Sequence, residues 1–289
     1  MKTGAVLLLT AEFLFALSTV FVKFVTSGTT ISGIEIAFFR FLTGFILTFT
    51  YIQTSGKYHP MVKPFNVYMR GLFNTTSVIF FFLGVQYTTV SNTNLLNMTY
   101  PVFVFLISPF ITKEKIPRDL LFFLILVLAG IYFVVIPEGS SPGSVNKGDI
   151  YALLSGITAG FGISFLREAR KTDYTQTILL YMFTIGSAVA GIMLINKFVM
   201  PSGIFILHIF TIAILSFIGQ VLLTAGYKHI SATAGSLISS ARIIFAIFLG
   251  VIFFSEPVTI RIISGSILIM ISLAGVNGFF RNLKFIKKR

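Results

Sequence analysis

Ten apolar runs of about 20 residues, following one another from Thr3 to Phe280, leave this chain few folds to choose from. At 1.5 Å rise per residue, a helix of that length spans roughly 30 Å, the thickness of the hydrocarbon core of a bilayer. The runs are read as helices over 3–26, 31–53, 66–86, 89–112, 118–136, 149–169, 175–196, 203–226, 231–254 and 258–280, here called segments one to ten. They use nearly all of the 289 residues, so no soluble domain is left over. The longest connections lie near 54–65 and 137–148, and the second, rich in Pro, Gly and Ser, is the natural joint between two halves.

The halves resemble each other. Gly84-Val85-Gln86-Tyr87-Thr88-Thr89-Val90-Ser91 returns 142 residues later as Gly226-Tyr227-Lys228-His229-Ile230-Ser231-Ala232-Thr233. The segment after each copy ends on an acid at the same offset, Glu114 and Glu256. Segment six follows five others, and five is odd, so the second copy is inverted relative to the first. The expectation is an all-α integral membrane protein of ten transmembrane helices as two inverted five-helix repeats, 1–137 and 148–281, with a basic tail over 282–289.

Charge sets the orientation. The net charge is +13, and the basic residues gather at alternate connections: Lys113, Lys115 and Arg118, then Arg167, Arg170 and Lys171, then Arg281 to Arg289. The other side holds only Lys23, Lys147, Lys197 and Arg261. By the positive-inside rule both termini are cytoplasmic, the excess charge faces anionic lipid head groups, and nucleic acid is not a partner. The first run is too long for a signal-peptide core and lacks a convincing cleavage site, so it is read as a retained helix. With no cysteine, disulfides and thiolate chemistry are unavailable. Localisation is read as the cell membrane, bacterial inner or plasma, and a homodimer is left open.

Several short stretches resemble the drug/metabolite transporter superfamily, in its ten-helix EamA-type branch. They are Ala37-Phe38-Phe39-Arg40-Phe41, Tyr87 to Asn92, Pro101 to Val104, Lys113-Glu114-Lys115-Ile116, His229 to Thr233, Ser255-Glu256-Pro257-Val258 and Leu273-Ala274-Gly275-Val276. The resemblance implies a cavity between the halves, lined by segments one to four and six to nine, and alternating access without ATP hydrolysis. One departure stands out. Where family members often carry an acid and a proline in the middle of segment nine, this chain has Arg242-Ile243.

Arg242 lies about 16 Å along segment nine, near mid-membrane, where a cation costs roughly 3 kcal/mol and has to face a cavity or a partner. Two compatible readings are a clamp for a substrate carboxylate or phosphate and an ion pair with Glu12 at similar depth on segment one. Glu12 is also a candidate for proton coupling. In segment four, Asn94, Asn97 and Pro101 share one face. The 142-residue shift pairs them with Ser236, Ser239 and Ile243, and pairs Tyr100 with Arg242. Matching polar faces suit a site on a pseudo-symmetry axis, although amides and hydroxyls also glue helices together. Gln220, Asn74 and Tyr181 are further candidates for the cavity wall. Arg40 with Glu35 reads as a structural intramembrane charge pair, and Arg70 as a residue snorkelling to the cytoplasmic head groups.

Enzymatic readings find no motif: HExxH, Walker-type and GxSxG sequences are absent, no cofactor is implied, and the three histidines stand apart, which argues against a metal site. The leading expectation is a secondary active transporter of a small polar organic metabolite, amino-acid-, organic-acid- or nucleotide-like and carrying an anionic group. The alternatives are a lipid flippase and a non-transporting membrane scaffold subunit.

Overall fold

The computed structural model of the chain describes residues 2–56, 58–112, 122, 125–126, 129–130, 132–133, 146–227, 229, 238–239 and 241–276. Among these, every regular element is a helix. In chain order they are α1 (Lys2–Gly28), α2 (Gly33–Ser55), α3 (Pro64–Tyr87), α4 (Val90–Asn97), α5 (Tyr100–Thr112), α6 (Lys147–Ala169), α7 (Thr175–Met193), α8 (Ile204–Gly226), α9 (Ala241–Phe254) and α10 (Ile260–Val276). Five of them, α1, α2, α6, α7 and α8, are long and apolar enough to cross a membrane. Most of segment five, the start of segment nine with Ser236, the acid Glu114, nearly all of the 137–148 joint and the 282–289 tail lie outside the described residues.

Local chemistry sets the helix ends. Ser32 and Glu35 form a capping box on α2, each side chain accepting from the other's backbone N–H, and Gly56 closes that helix in the left-handed conformation at φ 65°. Pro64 opens α3, where its missing N–H costs nothing. Thr89 caps α4 through Asn92 N, and Asn146 caps α6 through Gly148 N. The expected continuous segment four is broken at Met98 and Thr99 into α4 and α5. Pro101 is the physical reason: it cannot donate to the Asn97 carbonyl one turn back, and its ring crowds that carbonyl.

The bundle is inside out relative to a soluble protein. Ile46 and Phe49 on α2, Ile206, Leu207 and Phe210 on α8, and Phe248 and Ile252 on α9 face outward, whereas Glu12, Arg40, Arg70, Asn94 and Asn97 are buried. Apolar exteriors cost nothing against lipid, and a polar group inside has to find its partner within the bundle or its contents.

Packing runs mostly between the first five helices and the last five. α3 lies along α6, α1 along α8, α2 along α7, and α4 against both α6 and α9. At the α2–α7 contact the fit is reciprocal. Gly186 leaves room for the Phe41 ring, which a Cβ there would meet at 2.4 Å, and Gly44 leaves room for Phe183, which a Cβ would meet at 2.5 Å. Small residues let these helices approach closely. Gly186→Ala overpacks this contact, and overpacking costs about 1–3 kcal/mol. Monodispersity after heating in detergent is expected to fail at a lower temperature for Gly186→Ala, and to be partly restored in Gly186→Ala/Phe41→Leu.

Candidate functional site

The site is built on a charge that the apolar surroundings cannot leave alone. Arg242, in the first turn of α9, donates from Nε to Glu12 Oε2 at 2.5 Å, and its Nη2 contacts the same oxygen. Glu12 on α1 is fully buried, so the pair is a desolvated ion pair joining the first helix to the ninth. Arg242 also lies over the Phe15 ring, 4.7 Å from its centroid. Its Nη1 reaches Asn97 Oδ1 at 3.4 Å. Asn97 Nδ2 in turn donates to Ser155 Oγ at 2.8 Å, Ser155 Oγ donates to Ala152 O at 2.6 Å, and Ser77 Oγ donates to Ser155 O at 2.9 Å. One polar chain therefore links α1, α9, α4, α6 and α3.

Beside this chain is a cavity of about 90 Å³. Its polar wall comprises Arg242, Arg40, Arg70, Asn97, Asn74, Gln220, Tyr100, Ser18 and Ser77; its apolar wall includes Phe15, Val78, Phe81, Met98, Ile163 and Leu223. The break between α4 and α5 lies on this wall, because both Asn97 and Met98 line it. Gly156 packs onto the broken backbone, where a Cβ would meet Leu96 O and Thr99 Oγ1 at 2.9 Å.

Of the residues singled out in the sequence, Arg242, Asn97, Tyr100, Gln220 and Asn74 meet at the cavity, with Glu12 behind Arg242. Ser239 is buried close to Glu12, Tyr100 and Tyr227. Asn94 is buried but does not line the cavity; its amide donates to Val90 O at 2.9 Å within its own helix.

Three expectations need correction. Tyr181 is not on the cavity wall: its hydroxyl lies 3.4 Å from that of Tyr58, and its ring packs edge-on against Tyr68, near the start of α7. Glu35 does not pair with Arg40. Its carboxylate is taken by Ser32 N at 2.7 Å and Val199 N at 2.5 Å at the end of α2, while Arg40 turns to the cavity and lies over the Phe15 and Phe82 rings. Arg70 does not reach a head group. It is 3% exposed and lines the cavity, with Gly162 of α6 opposite its Nη1. The helix begins at Pro64, which puts Arg70 about 9 Å along it, deeper than its place in segment three implied.

A second polar cluster gathers at the other end of α4. Glu256, from the second half of the chain, accepts from Val90 N at 2.6 Å, Ser91 N at 3.0 Å and Ser91 Oγ at 2.6 Å. A carboxylate there satisfies orphan donors and complements the positive end of the helix. Nearby, Lys23 donates to Thr88 O at 2.7 Å and Thr88 Oγ1 donates to Asp149 at 2.8 Å.

A bundle that is apolar outside and holds a charged cavity within has the architecture of a multi-pass membrane transporter. Comparison with known proteins identifies which kind. The model of the EamA-like transporter family matches residues 2–136 and 146–278, and the chain belongs to that family, within the drug/metabolite transporter superfamily. It is 27% identical to the pseudopaline exporter CntI of Pseudomonas aeruginosa, over 94% of this chain and 95% of that one. It is 23% identical to solute carrier family 35 member G1 of Mus musculus, over 92% and 75%. A solved crystal structure superimposes with a TM-score of 0.66, covering 98% of this chain and 99% of its own; at 15% identity it speaks for the fold alone.

Arg242→Met leaves Glu12 buried without its counter-charge, and breaking a buried pair costs about 3–5 kcal/mol. A large fall in the heating temperature at which monodispersity is lost is expected for Arg242→Met, with a smaller fall for Glu12→Gln/Arg242→Met, which removes both charges.

Proposed function

We propose that this chain is a secondary active transporter of a small polar organic metabolite bearing an anionic group, of amino-acid, organic-acid or nucleotide-like character. The observation that carries the reading is the cavity itself, with Arg242 shared between Glu12 and the cavity wall. A guanidinium held by a buried carboxylate, yet open to a cavity on another side, can exchange that partner for an anion on a substrate. The curated relatives named as an exporter and as a solute carrier support transport as the activity. A scaffold subunit would fill this space with packed side chains, and a flippase would need a more apolar one.

In this reading, the transporter works by alternating access between two inverted halves, 1–137 and 148–281, with ten transmembrane helices. Both termini are cytoplasmic, in the bacterial inner or plasma membrane, with anionic lipid at the cytoplasmic face. Support comes from the packing. If segments one, two, three and four correspond to six, seven, eight and nine, the α1–α8 contact maps onto α3–α6, while α2–α7 and the α4–α9 contact map onto themselves. The Phe41/Gly44 and Phe183/Gly186 pairs sit 142 residues apart and fill each other's notches, as a pseudo-two-fold axis requires.

Counterflow in proteoliposomes across a metabolite panel tests this. Arg242→Ala and Asn97→Ala are expected to slow transport of the true substrate at least ten-fold, about 1.4 kcal/mol. If both variants transport as wild type does, the proposed site is wrong. Glu12→Gln, followed with a lumenal pH dye, is expected to abolish substrate-linked proton movement; unaltered movement leaves Glu12 solely as the partner of Arg242.

A further inference from the structure

We infer that the cavity is built for a substrate with at least two anionic groups, held among the guanidiniums of Arg40, Arg70 and Arg242. The inference rests on the transporter reading and narrows its substrate class. Three guanidiniums line the space, and Glu12 behind Arg242 is the only carboxylate paired with any of them among the described residues. Three positive charges less one negative leave two uncompensated.

The two arginines that carry this excess are not at the surface. Arg40 is 7% exposed and Arg70 3%, and the Nε of each is buried with no hydrogen-bond partner. Arginine cannot discharge itself by losing its proton, and it offers five donors in a planar fork. What Arg40 has around it is aromatic: the Phe15 ring centroid at 5.8 Å and the Phe82 ring centroid at 5.6 Å. Beside Arg70, α6 presents Gly162, whose missing side chain leaves Nη1 room and supplies no acceptor. The counter-charge therefore has to come from whatever occupies the cavity.

A single carboxylate would balance one of the two charges and leave a cation desolvated; two balance both. Arg40 and Arg242 lie over one ring, that of Phe15, their guanidinium carbons 5.8 and 4.7 Å from its centroid. They are thus near enough to hold the two ends of one small molecule. Val78, Phe81, Ile163 and Leu223 suit a short carbon skeleton, and Asn74, Gln220 and Tyr100 offer neutral hydrogen bonds to its polar substituents.

Calorimetric titration of the purified full chain in uncharged detergent, at constant ionic strength, decides the matter with three probes: butyrate, succinate and tricarballylate. Succinate and tricarballylate are expected to bind at least ten-fold more tightly than butyrate. Arg40→Gln and Arg70→Gln are expected to weaken the polyanions more than butyrate and so reduce that preference, and Arg40→Lys, which keeps the charge, to retain part of it. Butyrate binding as tightly as every polyanion, equal losses for both kinds of probe in the variants, or no binding of any polyanion each overturns the inference. If a glutamine variant fails to fold, the wild-type selectivity still decides. The outcomes separate from those of the transporter reading. Counterflow of a singly charged metabolite without polyanion binding sinks only the polyanion site, whereas polyanion binding without transport of any metabolite sinks only the transporter.

Discussion

The structure is organised around one cost, that of holding the Arg242 guanidinium away from water. In hydrocarbon that cost is relieved only by a counter-charge and hydrogen bonds. Glu12 supplies the first, and Asn97, with Ser155 and Ser77 behind it, supplies the second. Because these partners come from α1, α4, α6 and α3, meeting the needs of one residue on α9 ties five helices together. The cavity lies beside that knot, and its remaining arginines extend the same electrostatic demand to its contents.

The two halves share a scaffold but not a chemistry. Phe41 and Gly44 on α2 are repeated as Phe183 and Gly186 on α7, and the close fit between them is the same from either side. At the centre the likeness ends. Tyr100 stands where its counterpart is Arg242, and a shift of 144 places Glu12 opposite Gly156. On α1, that position brings a carboxylate to α9; on α6, it brings a bare backbone to the break between α4 and α5. The symmetric parts hold the helices together, and the asymmetric parts give the cavity its charge.

Much of this was legible in the sequence, for reasons that can be named. Long apolar runs report helices because the bilayer fixes their length, and Arg242 stood out as a cation within one of them. Its meeting with Glu12 was one of two readings until the helices were placed. Arg40 and Glu35 were misjudged because residues five apart on a helix do not share a face, whereas Ser32 three before Glu35 is the signature of the cap that the structure contains. Pro101 likewise announced the break in segment four. The cavity positions of Arg70 and Phe15, and the removal of Tyr181 to the Tyr58 and Tyr68 contacts, depend on which helix lies opposite, and that information is not local to any segment.

The short helix α4 has both ends spoken for. Glu256 grips its first turn through two backbone N–H groups and a hydroxyl, and Asn97 at its last turn touches Arg242 and Ser155. Pro101 interrupts the helical ladder between α4 and α5, and α4 is a separate element eight residues long. Asn97 and the Glu256 clasp lie about 10 Å apart at helical rise. The helix that presents Asn97 to the cavity is therefore the same one that Glu256, from the far half of the chain, holds at its other end.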